Sequence, residues 1–153
     1  MNKKIKSWKL LLGLALLILW LFIFPKKIPH LDFPQICYKS NCYNLEIANT
    51  PQLREQWLMN REILSEDSWM IFIFDKEDIH KFWMKNTLIP LDMIRLSSWL
   101  QIIDIANATP CKQDICPIYS PNKSAKYVLE IAWWLASKIW LKIWDYMVKK
   151  GIR

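Results

Sequence analysis

The chain has 153 residues, enough for one domain of ordinary size and an appendage. Its 21 Lys+Arg exceed its 14 Asp+Glu, for a net charge of +7. Six of those lysines and no acid lie in residues 1–27, which leaves 15 basic against 14 acidic residues beyond them. A near-neutral remainder has no electrostatic footprint for a phosphate backbone, so nucleic-acid binding is excluded as the meaning of the charge.

Residues 1–9 form a basic flank with Lys3, Lys4, Lys6 and Lys9. Residues 10–24, LLLGLALLILWLFIF, follow as 15 residues without a charge. That length falls just short of the about 17–25 residues of an ordinary span and is long for a signal-peptide core. No small-residue cleavage site precedes Pro25. The expectation is an uncleaved single-pass anchor, with a cleaved and secreted form as the alternative. Four lysines before the run and two after it place the N-terminus in the cytoplasm and the remainder outside. Pro25, Pro29 and Pro34 mark residues 25–35 as an extended linker, and residues 36–153 form the extracytoplasmic domain.

Within the domain, QICYKSNCYNLEIA has the form of a hairpin turning at Lys39-Ser40-Asn41. Thr50 is placed to cap a short helix whose first residue is Pro51. WMIFIF (69–74) predicts a buried strand, and a strand, a turn at Asn86-Thr87 and a second strand from Leu91 follow. LQIIDIA is a further strand, PCKQDICPIYSPNKS a long loop, and KYVLEIA a strand. The end reads as a short helix at LASKI, a turn at IWDY and a last strand. Many short strands with little helix predict a mainly β (α+β) fold, a small barrel or sandwich with one or two short helices.

Four cysteines fall in two pairs, Cys37 with Cys42 and Cys111 with Cys116. An even count outside the cytoplasm favours disulfides, either within each loop or between loops. Free buried thiols and a four-ligand metal site are the other readings, and the spacing differs from the usual Cys-x2-Cys.

No nucleophile–base constellation, Gly-rich phosphate loop or His/Asp/Glu metal spacing is present, so neither metal nor cofactor is expected. His80 stands alone in the domain and reads as a surface or capped group. The candidate ligand-binding residues are the polar ones inside apolar motifs: Arg61, Lys85, Asn86, Thr87, Asp92 and Glu130, with Trp83 as a stacking wall. Asp92 and Glu130 interrupt apolar strands and need partners if buried, for which Arg61 and Lys85 are available. In the plainer reading these charges only pair with one another and Asn86-Thr87 caps a turn. As a site, Arg61 and Lys85 suit an anionic or sugar-like ligand, or an envelope component, with Asp92 or Glu130 as acceptor or general base. A metal-independent hydrolase using Asp92 or Glu130 and a purely structural envelope protein are the alternatives.

The segments REQWLMNRE, FWMKNTLIPLDMIRL and KYVLEIA closely resemble the uncharacterised bacterial and archaeal family called domain of unknown function 192. Its members are often secreted or membrane-anchored. The resemblance runs from about Cys42 to Val148 and implies no known activity. It also exposes departures of one kind. The family pattern has glycine where this chain has Trp57, Trp69, Trp99, Trp134, Trp140 and Trp144, and at Trp133 on one alignment.

Local chemistry points the same way. Trp57 and Trp140 follow short helices, where a left-handed residue is expected, and Trp99 lies in a hairpin turn. Average usage predicts roughly ten or eleven glycines in such a chain, and this one has two glycines and ten tryptophans. UGA is read as tryptophan in some genetic codes and as glycine in others. Glycine codons written as tryptophan account for the pattern. The rival is a truly Trp-rich helix with Trp133, Trp140 and Trp144 on one face, resting in a membrane interface.

Overall fold

The computed structural model describes residues 34–56 and 58–151. The basic flank, the apolar segment 10–24, most of the linker and Trp57 lie outside the described residues. Among the described residues no helix is long and apolar enough to cross a membrane.

The strands are β1 (Gln35–Tyr38), β2 (Asn41–Ala48), β3 (Ser68–Asp78), β4 (Phe82–Trp83), β5 (Leu91–Leu96), β6 (Ile102–Ala108), β7 (Ile118–Tyr119), β8 (Ala125–Ala132) and β9 (Val148–Lys150). Two short helices, α1 (Pro51–Gln56) and α2 (Leu135–Lys138), complete the fold. Seven strands form one sheet in the order β6-β5-β8-β3-β2-β1-β9, and β4 pairs with β7 in a second, two-stranded sheet. Only β2 and β3 run parallel; α1 makes the crossover between them, and the other pairs are antiparallel.

The fold is mainly β with two short helices, as expected, but the sheet is not closed into a barrel. The segment Trp144–Met147 leans back on Leu100–Ile102 through an isolated Gln101–Tyr146 bridge rather than a ladder. The long loop after β6 also holds β7, which the three prolines concealed. Strand β1 starts at Gln35, the last residue assigned to the linker.

Local chemistry explains the elements. Lys39, with φ 54°, turns the first hairpin, and the Cys37–Cys42 disulfide joins directly opposed residues across it. A second disulfide, Cys111–Cys116, closes the loop before β7, so both bridges are local to their own loops. Thr50 Oγ1 accepts the Leu53 N–H at 3.3 Å and caps α1. In the hairpin between β5 and β6, Leu100 N–H donates to Ser97 O at 3.0 Å, and the left-handed residue is Leu100 (φ 62°), one place after Trp99.

Strand alternation divides the core between the two faces of the large sheet. One face carries Ile36, Leu45, Trp69, Ile71, Ile94 and Leu129, covered by Leu135, Leu141 and Met147 of the closing segment. The other carries Met70, Phe72, Leu91, Met93 and Val128, covered by Leu58, Met84 and the small sheet. Every residue of β5 is buried, so its polar residues need partners on both faces.

Asp92 finds them on the first face. Its carboxylate accepts the backbone N–H of Ala136 at 2.9 Å and the Asn107 side-chain amide at 2.5 Å. It therefore fastens the start of α2 to the sheet. Tyr38 fastens the other end of the segment. Its hydroxyl donates to Asp145 at 2.5 Å and lies 2.9 Å from a second acceptor, Trp140 O.

Asp92→Ala should lower the unfolding free energy by about 1–3 kcal/mol, because it leaves the buried Ala136 N–H unpaired; denaturant titration measures this. Burial, with the Asp145 carboxylate beside it, pushes the Tyr38 hydroxyl from 10.0 up to about 12. Below pH 10.0 Tyr38 is protonated folded and unfolded, so its contribution is whole; it is lost as pH rises toward about 12. Unfolding midpoints followed through that window should fall more steeply for the wild type than for Tyr38→Phe.

Candidate functional site

The second face of the sheet opens into a cleft of about 470 Å³ between α1, the segment 79–83 and the turn Lys85–Thr87. That volume is in the range of small-molecule sites. The sheet builds its floor. Glu46, Met70, Glu130 and Met93 stand side by side on β2, β3, β8 and β5. Alternation that buries Val128 on this face also turns Glu130 into the cleft.

Glu130 is 5% exposed. Among the described residues it has no hydrogen-bond or ion-pair partner. Desolvation by burial pushes its carboxyl up to about 8, against the weaker pull of the Arg95 guanidinium. At neutral pH it is therefore mainly a neutral acid, able to donate a hydrogen bond into the cleft.

Arg95 is the buried cation behind it. Its Nη1 pairs with Asp104 at 2.5 Å and its Nη2 donates to Tyr119 O at 3.1 Å, while Nε has no partner among the described residues.

The walls are aromatic and mainly cationic, with Arg54, Lys81 and Lys85 against one acid, Glu55. His80 stacks on Phe74 with ring centroids 3.5 Å apart. Arg54 lies over the same Phe74 ring at 5.0 Å and donates to Ile73 O at 2.9 Å. Trp83 is 54% exposed at the mouth, and Lys85 Nζ sits 5.6 Å from its ring. Among the described residues Lys85 has no carboxylate partner, so its charge is available to a ligand. Thr87 completes the wall, its N–H held by Met84 O at 3.2 Å.

The structure thus brings together four sequence-predicted residues: Trp83, Lys85, Thr87 and Glu130. Asn86 turns the chain with φ 59° and lines a neighbouring recess beside the Cys111–Cys116 loop. Arg61 is bound to Glu46 through two hydrogen bonds of 3.0 and 2.6 Å, not to Asp92 or Glu130. Asp92 belongs to the opposite face and holds α2.

Sequence reasoning missed Arg54, Phe74 and Arg95, and it set His80 aside. Arg95 carried a readable signal, since a cation inside the apolar run LDMIRL obeys the logic applied to Asp92. Arg54 and His80 carried none, because their place depends on how α1 and the 79–83 turn pack. Among the described residues no three His, Cys, Asp or Glu side chains are grouped to hold a metal ion.

A protein-family model for DUF192, described as an uncharacterized ACR, matches residues 35–147. Two solved structures share the fold. One, from Sinorhizobium meliloti 1021 and described as a candidate transcription regulator, is 29% identical, with TM-score 0.69, 78% of this chain covered and 93% of that one. Another, from Novosphingobium aromaticivorans DSM 12444 and described as a protein of unknown function, is 28% identical, with TM-score 0.67, 79% of this chain covered and 89% of that one. No curated protein matches the chain.

The raised Glu130 sets a pH dependence of stability. Below about 4.5 its carboxyl is protonated in both states, and as pH rises to about 8 the unfolded chain releases the proton first. Stability therefore falls through that window for the wild type. Glu130→Gln should match the wild type at the acid end and be the more stable protein at the alkaline end, as read by denaturant unfolding at the two limits.

Proposed function

The chain belongs to the DUF192 family, and on that premise we propose that it is a membrane-tethered extracytoplasmic binding protein. Its cleft takes a small ring-bearing anionic ligand of the acidic-sugar kind, free or as part of an envelope component. The observation that carries this reading is the Glu130 carboxyl, without a partner among the described residues, beneath a largely cationic and aromatic rim. A buried polar group without a protein partner is expected to find one in a ligand. A neutral Glu130 donates to a hydroxyl or carbonyl oxygen, Lys85 and Arg54 receive the negative charge, and the exposed face of Trp83 suits a sugar ring.

The tether is the run 10–24 with its lysine-rich cytoplasmic flank. Two disulfides suit an oxidising compartment. The transcription role described for the Sinorhizobium protein is not carried over, because beyond residue 27 basic and acidic residues are nearly balanced.

The second reading is a metal-independent hydrolase. It is favoured by Glu130 itself, whose raised carboxyl is suited to general-acid work near neutral pH. Asp92 drops out of that reading, because its oxygens are occupied on the far face.

The test is a thermal-shift panel of acidic and neutral saccharides on the full chain in detergent micelles. Acidic members should shift the midpoint, and Lys85→Ala should weaken their binding by about tenfold or more, the worth of roughly 1.4 kcal/mol. Shifts by neutral members alone, or shifts untouched by Lys85→Ala, would reject the binding reading. Turnover of a saccharide that Glu130→Gln abolishes would establish the second reading instead.

A further inference from the structure

The closing segment, on the other face of the sheet from the cleft, holds three tryptophans in left-handed backbone. Trp134 has φ 67°, Trp140 φ 61° and Trp144 φ 82°. For a bulky residue this region is an outlier, whereas glycine enters it freely.

Each position has a defined turn role. Trp140 is the residue just past the C-cap of α2. Its N–H donates to Ser137 O at 3.1 Å, and the next N–H, of Leu141, reaches back to Ala136 O at 2.9 Å. That pair of bonds is the Schellman motif, whose left-handed residue is usually glycine. Trp144 is the third residue of a turn in which Asp145 N–H donates to Lys142 O at 3.1 Å, a place where positive φ selects glycine. Trp134, with ψ −5°, turns the chain from β8 into α2.

The side chains give no compensating reason for tryptophan. All three are exposed, between 59% and 71%. Their only ring contacts among the described residues are Trp134 with the neighbouring Trp133 and Trp144 with Lys123. Trp69 shows the contrast. It is fully buried, stacks on Tyr43 at 3.9 Å and donates its indole N–H to Glu66 O at 3.0 Å, with no left-handed backbone.

We infer that positions 134, 140 and 144 are glycine in the protein the cell makes, encoded by UGA codons that its ribosomes read as glycine. UGA is the codon that different genetic codes assign to tryptophan and to glycine, so one reading error accounts for all three sites. It also moves the composition, written with two glycines and ten tryptophans, toward ordinary usage. The inference is confined to these three, since the backbone at Trp69, Trp99 and Trp133 makes no such demand. It has a functional consequence. The exposed indoles of the closing segment are not a membrane- or partner-docking surface, and the segment is a plain clasp held by Asp92 and Tyr38.

Mass spectrometry of the protein isolated from its own host tests this directly. Trypsin releases Tyr127–Lys138, Ile139–Lys142 and Ile143–Lys149, which report on positions 134, 140 and 144 one at a time. Each peptide should be lighter by the mass difference between tryptophan and glycine, and the gene should show UGA at each codon. Peptides of full tryptophan mass, or UGG codons, overturn the inference. A second measurement keeps the conformational premise open to refutation. The full chain carrying W134G, W140G and W144G should melt at least about 5 °C above the chain with tryptophan; an unchanged or lower midpoint contradicts it.

Discussion

The double burial of β5 and β8, neighbours inside the seven-stranded sheet, is the constraint on which the domain depends. Strand geometry sends alternate residues to opposite faces, so a polar residue on such a strand cannot reach water on either side. These two neighbours carry one acid each, unpaired with any cation among the described residues, and the acids point to opposite faces. Asp92 is satisfied by Asn107 and by the backbone of Ala136, and in being satisfied it fixes the closing segment. Glu130 is left without a partner among the described residues and faces a cleft. One acid therefore builds structure, and the other is available for chemistry.

The remaining charges on the cleft face show why it stays open at Glu130. Arg61 is drawn away by Glu46, and Arg95 is drawn away by Asp104. Both arginines are engaged at close range elsewhere. Lys85 leans on Trp83 at the rim rather than reaching to the floor. The result is a neutral proton donor at the bottom and positive charge at the mouth, which is an arrangement suited to an anion that brings its own acceptors.

Much of this was legible in the sequence, for identifiable reasons. The hairpin at Lys39-Ser40, the cap at Thr50 and the strands at WMIFIF and KYVLEIA follow from local rules that the fold did not override. Glu130, Lys85, Thr87 and Trp83 were visible because polar residues inside apolar runs need an explanation. What was not legible depended on tertiary placement. Asp92 and Glu130 looked equivalent, since alternation on two separate strands does not say which faces coincide until the register is known. The partner of Arg61 proved to be Glu46, an acid flanked by Leu45 and Ile47 that carried the same signal and was passed over. Strand β7 was hidden because two residues are too few to show a period, and the open edge of the sheet leaves no mark in composition. Trp99 was expected in the left-handed place that Leu100 takes, because the turn residues SSW do not reveal the bulge that follows.

Both readings of the cleft rest on Glu130 being a buried carboxyl that holds its proton at neutral pH with no partner among the described residues. A carbon-detected NMR titration of that side-chain carboxyl reads this directly. The midpoint should lie at about 8 and should change when an acidic saccharide occupies the cleft. A midpoint near the ordinary 4.5, unaffected by ligand, would contradict the account.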